Sequence, residues 1–154
     1  MSPTTIQYTS EQARTFADVS PEAWRHWRKV IPWLAAKSGK GARFTAGELI
    51  ALAALSSAVH TLDIGIAKFA SRWDELFGLC AQQSAGALRS AVVVVTADSL
   101  ELAVAGLSSA EQPAIVIPCA PIVDRLSDAA LSPGLAQGQI PLPFAPQAVG
   151  GKRR

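Results

Sequence analysis

Long apolar runs are missing from this chain of 154 residues: no stretch of 18 or more lacks polar groups, which argues against a helical membrane span. Cysteine is nearly absent. Cys80 and Cys119 have no Cys or His at metal-ligand spacing, so no metal is expected, and they read as buried free thiols, with a regulatory pair as the alternative. Histidine occurs only at His26 and His60, neither beside a nucleophile. GxSxG, HExxH and CxxC are absent, and Gly39-Lys40-Gly41 lacks the spacing of a phosphate loop. Neither catalysis nor a cofactor is expected, and His60, late in an apolar helix, reads as structural. The opening Met-Ser-Pro-Thr-Thr-Ile has neither the basic nor the apolar region of a secretory signal, so the expected compartment is the cytoplasm.

Charged residues make up only 17% and hydrophobic ones 49%, enough apolar material for a core. The net charge of +2 conceals a gradient. Residues 1–45 hold seven basic and three acidic side chains, residues 46–149 four basic and nine acidic, and the chain ends in Lys152-Arg153-Arg154. Positive charge thus collects at the two ends, where a phosphate backbone could use it.

Local signals divide the first half into short helices. Thr9-Ser-Glu-Gln12 is a capping box opening a helix over about 10–16, with Ala13 and Phe16 inward. Ala17-Asp18-Val19 makes a tight turn. Ser20 is an N-cap and Pro21 a first helical residue, and the helix they open ends before Pro32. Residues 35–44 read as two short strands joined through Ser38-Gly39-Lys40-Gly41. Thr45-Ala-Gly-Glu48 is a second capping box, starting a helix with Leu49, Leu52, Ala53 and Val59 at helical spacing. Asp63 is read as the cap of a further helix whose inner stripe is Ile66, Phe69, Ala70, Trp73, Leu76 and Phe77.

The helix after Ser20 sets Glu22, Arg25, His26 and Lys29 on one exposed face, with Arg28 nearby. The loop beyond it carries Lys37, Lys40 and Arg43 around two glycines. A recognition helix beside a basic wing is what a winged helix–turn–helix uses to hold duplex DNA, and Arg can fork onto guanine or phosphate. The DNA-binding set is therefore Ser20, Glu22, Arg25, His26, Arg28, Lys29, Lys37, Lys40 and Arg43. The competing readings are a solvated amphipathic helix and an ordinary surface turn.

These residues resemble a known family. Tyr8-Thr9, Val19-Ser20-Pro21, Arg25-His26-Trp27 and Gly41-Ala42-Arg43-Phe44-Thr45 leading into Glu48-Leu49 look like the winged-helix domain of MerR regulators and their excisionase-like relatives, over residues 8–73. The resemblance implies Arg25 on a base edge or the DNA backbone, Arg43 on phosphate, and Trp27 at a family aromatic position. The long dimerising helix and cysteine-based effector site of full-length MerR regulators have no counterpart here, so metal sensing and promoter twisting are not implied.

The second half changes character. Ala81–Gly86 reads as a linker or a fraying helix end, Ala91–Thr96 as a strand buried on both faces, Asp98–Leu107 as a helix, Ala114–Cys119 as a second strand, and Ile122–Leu131 as a helix. Strand, helix, strand suggests a parallel β-α-β unit. Two strands make a poor sheet alone, so the unit is expected to dock on the first domain or on a second copy, giving a homodimer. The expected fold is α+β: a winged helix–turn–helix over 6–78, a β-α-β unit over 90–131, and a flexible Pro/Gly-rich tail over 132–154. In that tail Gln139, Ile140, Leu142 and Phe144 are similar to the peptides that bacterial replication and repair proteins insert into the sliding clamp, and Pro stiffening would favour docking. The alternative is that the tail tucks these side chains onto its own core. Three functions follow from these features. The first is a sequence-specific transcription regulator. The second is an architectural or replication-linked DNA-binding protein. The third is a winged module that contacts protein and lacks DNA affinity.

Overall fold

The computed structural model describes residues 7–104 and 111–131. The chain is mixed α and β, with helices dominating. Strand β1 (Gln7–Thr9) leads into α1 (Ser10–Phe16), and both arms of the Thr9–Gln12 capping box form, at 2.9 and 3.2 Å. Helix α1 then closes in a Schellman motif. Val19 N–H donates to the Arg14 carbonyl at 2.9 Å and Asp18 N–H to that of Thr15 at 3.2 Å. The motif requires a left-handed residue, and Asp18 takes it at φ 59°.

Helix α2 (Pro21–Val30) is followed at once by a short helix, α3 (Pro32–Ala36). Here the structure corrects the sequence reading. Pro32 does end α2, but its fixed φ also suits the first turn of the next helix, so residues 35–44 are not two strands of a hairpin. Only β2 (Arg43–Thr45) is extended, and it pairs antiparallel with β1, Tyr8 opposite Phe44. The basic loop is therefore a turn over 37–42, followed by a strand that pairs with β1.

Helix α4 (Ala46–Leu62) is the central column. Leu49 to Leu55 are all fully buried, so the helix is apolar all round, as expected for an element covered on every side. Helices α1, α5 (Ala70–Ala81), α6 (Ala85–Arg89) and α7 (Ala120–Leu131) supply the cover. Asp63 does not cap the next helix; it ends α4 in the left-handed region at φ 53°. A 3-10 turn over Ile66–Phe69 then leads into α5. At Gly47 the backbones of α4 and α5 meet so closely that a Cβ would collide with the Cys80 carbonyl.

The second half is also corrected. Strand β3 (Ala91–Val95) is followed by strand β4 (Leu100–Val104), where a helix was expected, and then by β5 (Ile115–Pro118). The sheet order is β4-β3-β5 and both pairings are antiparallel, so the described residues hold no parallel β-α-β unit. The turn before β4 explains the difference. Thr96 N–H donates to the Ser99 carbonyl at 2.8 Å and Thr96 Oγ1 accepts from Ser99 N–H at 3.0 Å, which reverses the chain into a hairpin. Leu-Glu-Leu-Ala favours helix in isolation, but pairing along all of β3 outweighs that preference.

Val93, Val95, Leu100 and Ile117 share one hydrophobic cluster with Trp27, Leu49 and Trp73, so a single core runs through both halves. Arg89 braces α6 against α7 through two bonds to Asp124, at 2.8 and 3.0 Å. No described helix is long and apolar enough to cross a membrane.

Candidate nucleic-acid interface

Helix α2 is built to show one face. Ser20 Oγ accepts from Ala23 N–H at 3.1 Å, Pro21 fills the first helical position, and Glu22 stands at the positive end of the helix dipole with Arg28 and Lys29 at the negative end. Trp24 and Trp27 lie inward, 8% and 2% exposed. Trp24 packs on Phe44 of β2 at 5.8 Å between centroids, and Trp27 lies 6.4 Å from the His60 ring. The two tryptophans anchor the helix in the core. Glu22, Arg25, His26 and Lys29 are then all exposed, as their helical spacing predicts, and Arg28 is half-buried with its Nε unpartnered.

The loop divides its three cations. Lys40 and Arg43 are exposed. Arg43 donates to the Lys40 and Ala42 carbonyls at 3.1 and 2.8 Å, curling the turn on itself, and Gly39 at φ 88° supplies the left-handed step. Lys37 points the other way. Its ammonium lies 2.9 Å from Glu48 Oε2, donates to the Arg43 carbonyl at 2.6 Å, and sits 5.2 Å over the Phe44 ring. Lys37 is thus part of the scaffold and does not share the outer surface with Lys40 and Arg43.

In the sequence Glu48 reads as a cap of α4. The structure makes it a junction: Trp33 Nε1 donates to it at 2.6 Å, Thr45 N–H at 2.9 Å and Lys37 at 3.1 Å. Trp33 is itself held by its N–H to Asp74 at 2.7 Å and by stacking on Phe77. No spacing rule joins residues 33, 37, 48 and 74, so this network left no signal in the sequence.

Two further groups border α2. A cleft of about 540 Å³ at its N-terminus is lined by Arg14, Thr15, Asp18, Val19, Ser20 and His60. Arg14 is held there by bonds to the Val19 carbonyl at 2.8 Å and Glu11 at 3.0 Å. Lys68, exposed on the 3-10 turn that packs against α2, adds a cation on another side. Gln139, Ile140, Leu142, Phe144 and the basic end lie outside the described residues. No protein-family model matches the chain, and neither a curated protein nor a solved structure matches it.

Proposed function

We propose that the chain is a sequence-specific DNA-binding protein, most simply a transcription regulator, with α2 entering the major groove and Lys40 and Arg43 meeting phosphate beside it. The observation that carries this reading is the division of α2. Both tryptophans are buried while Glu22, Arg25, His26 and Lys29 stand together in solvent. A helix held so firmly from behind can present Arg25 to a base edge without first losing side-chain order elsewhere. The Schellman turn and Ser20 cap fix its entry angle, and the β1–β2 pair holds the loop at its flank. The likeness to MerR and excisionase domains supports the same role for Arg25 and Arg43. A homodimer would set two such helices on two half-sites.

Selection from random duplexes, sequenced at two salt concentrations, tests the reading. A motif that persists at the higher salt supports a specific regulator. Binding without a motif, lost steeply with salt, would replace it with an architectural role. No binding at either salt would overturn DNA recognition and favour a protein partner.

A further inference from the structure

β4 is an outer strand of the three-stranded sheet, with helix α5 packed against it. β3 is paired on both sides, so β4 presents one side of its backbone unpaired among the described residues. Natural edge strands carry lysines, prolines or bulges that discourage pairing with another chain. β4, Leu100-Glu101-Leu102-Ala103-Val104, has none of them, and its register to β3 is continuous over all five residues. The opposite edge, β5, is a residue shorter and closes on Pro118.

The core side of β4 is also incomplete. Strand alternation turns Leu100, Leu102 and Val104 to that side. Leu100 is 6% exposed, Leu102 is half-buried, and Val104 is 59% exposed. Apolar cover therefore runs out along the strand toward Val104.

We propose that β4 is the contact through which two copies of this chain pair, antiparallel and edge to edge, with Leu102 opposite its own counterpart. The two sheets then become one of six strands related by a two-fold axis. Full overlap of the five residues and the charge pattern together select this register. Glu101, the sole charge on the strand, faces the partner's Ala103, and Val104 comes beside the partner's Leu100, whose side chain continues the core. A register displaced by two residues would set Glu101 against the partner's Glu101, where like charges repel. The inference concerns self-association alone and does not rest on the DNA reading.

Sedimentation of the full chain without nucleic acid, over a broad concentration range, tests it. A concentration-dependent dimer is expected. Ala103→Glu sets two like-charge pairs across the contact and weakens the dimer about ten-fold, whereas Ala103→Lys strengthens it. The exchange Glu101→Lys with Ala103→Glu restores it, which a variant that merely misfolded would not do. A monomer at every concentration overturns the proposal, as does a dimer indifferent to these charges. A dimer that forms only after removal of residues 132–154 also overturns it and assigns the edge to the chain's own tail.

Discussion

Lys37 and Glu48 form an ion pair at 2.9 Å in which the carboxylate side chain is only 3% exposed. A buried carboxylate is costly unless every lone pair is used, and here Trp33, Thr45 and Lys37 use them. The pair ties the basic turn to the first turn of α4. Removing either partner leaves the other without compensation. Lys37→Met is expected to cost about 3 kcal/mol and Glu48→Gln somewhat less, because an amide still meets part of the network. Urea melts of the two variants check both values, and a loss under ~0.5 kcal/mol for Lys37→Met would show that water substitutes for it.

The DNA reading separates cations that look alike in the sequence. Arg25→Ala, Lys29→Ala and Lys40→Ala are exposed changes, so each should leave the melting temperature nearly unmoved. A phosphate contact among them reduces the salt dependence of binding by about 0.9 per residue. Arg25→Ala should in addition relax preference at one base position, for a loss of about 1–3 kcal/mol. Titrations at several salt concentrations with matched and mismatched duplexes give both quantities. Equal, salt-insensitive effects from all three would argue against this assignment of roles.

Gly47 allows α4 and the end of α5 to touch backbone to backbone. Gly47→Ala drives a methyl into the Cys80 carbonyl, with the Gln83 carbonyl 3.1 Å away. Backbone cannot yield as a flexible side chain would, so the cost should be about 3 kcal/mol. Thermal unfolding checks it against Gly65→Ala, where a Cβ would meet nothing within 4 Å.

Stability should fall in alkali. Burial pushes the Cys80 thiol up to about 12, helped by the neighbouring Cys119, whose own thiol burial raises to about 11. Both start from 9.0 in the open chain. The folded state thus keeps protons that the unfolded state releases, so the contribution is complete below about pH 9 and is lost as pH climbs through about 11 to 12. The phenol of Tyr8, fully buried with no bonding partner for its hydroxyl, shifts in the same direction. Chemical denaturation at stepped pH tests this. Because the thiolate is the nucleophile, alkylation of either cysteine at neutral pH should require unfolding.

Elements set by neighbours in sequence were legible. Thr9–Gln12, Ser20–Pro21 and Thr45–Glu48 each close within three residues, and all three open helices where their chemistry indicates. The exposed face of α2 followed from helical spacing alone. Features set by distant partners were not legible. Leu100–Val104 has the composition of a helix and becomes a strand only because β3 lies beside it. Lys37 resembles Lys40 until Glu48, eleven residues on, takes it inward. Pro32 signals a stop in the sequence, yet its ring also serves as the start of α3.

The all-round burial of α4 has a consequence for synthesis. Of the helices that cover it, only α1 precedes it in the chain, while α5, α6 and α7 follow, the last ending at Leu131. At ~5–20 residues per second, the ribosome needs several seconds to make the segment between α4 and the end of α7. Throughout that interval this apolar helix has been synthesised without most of its cover. The nascent chain should therefore be most exposed to aggregation, and most dependent on chaperones, between the synthesis of α4 and that of α7.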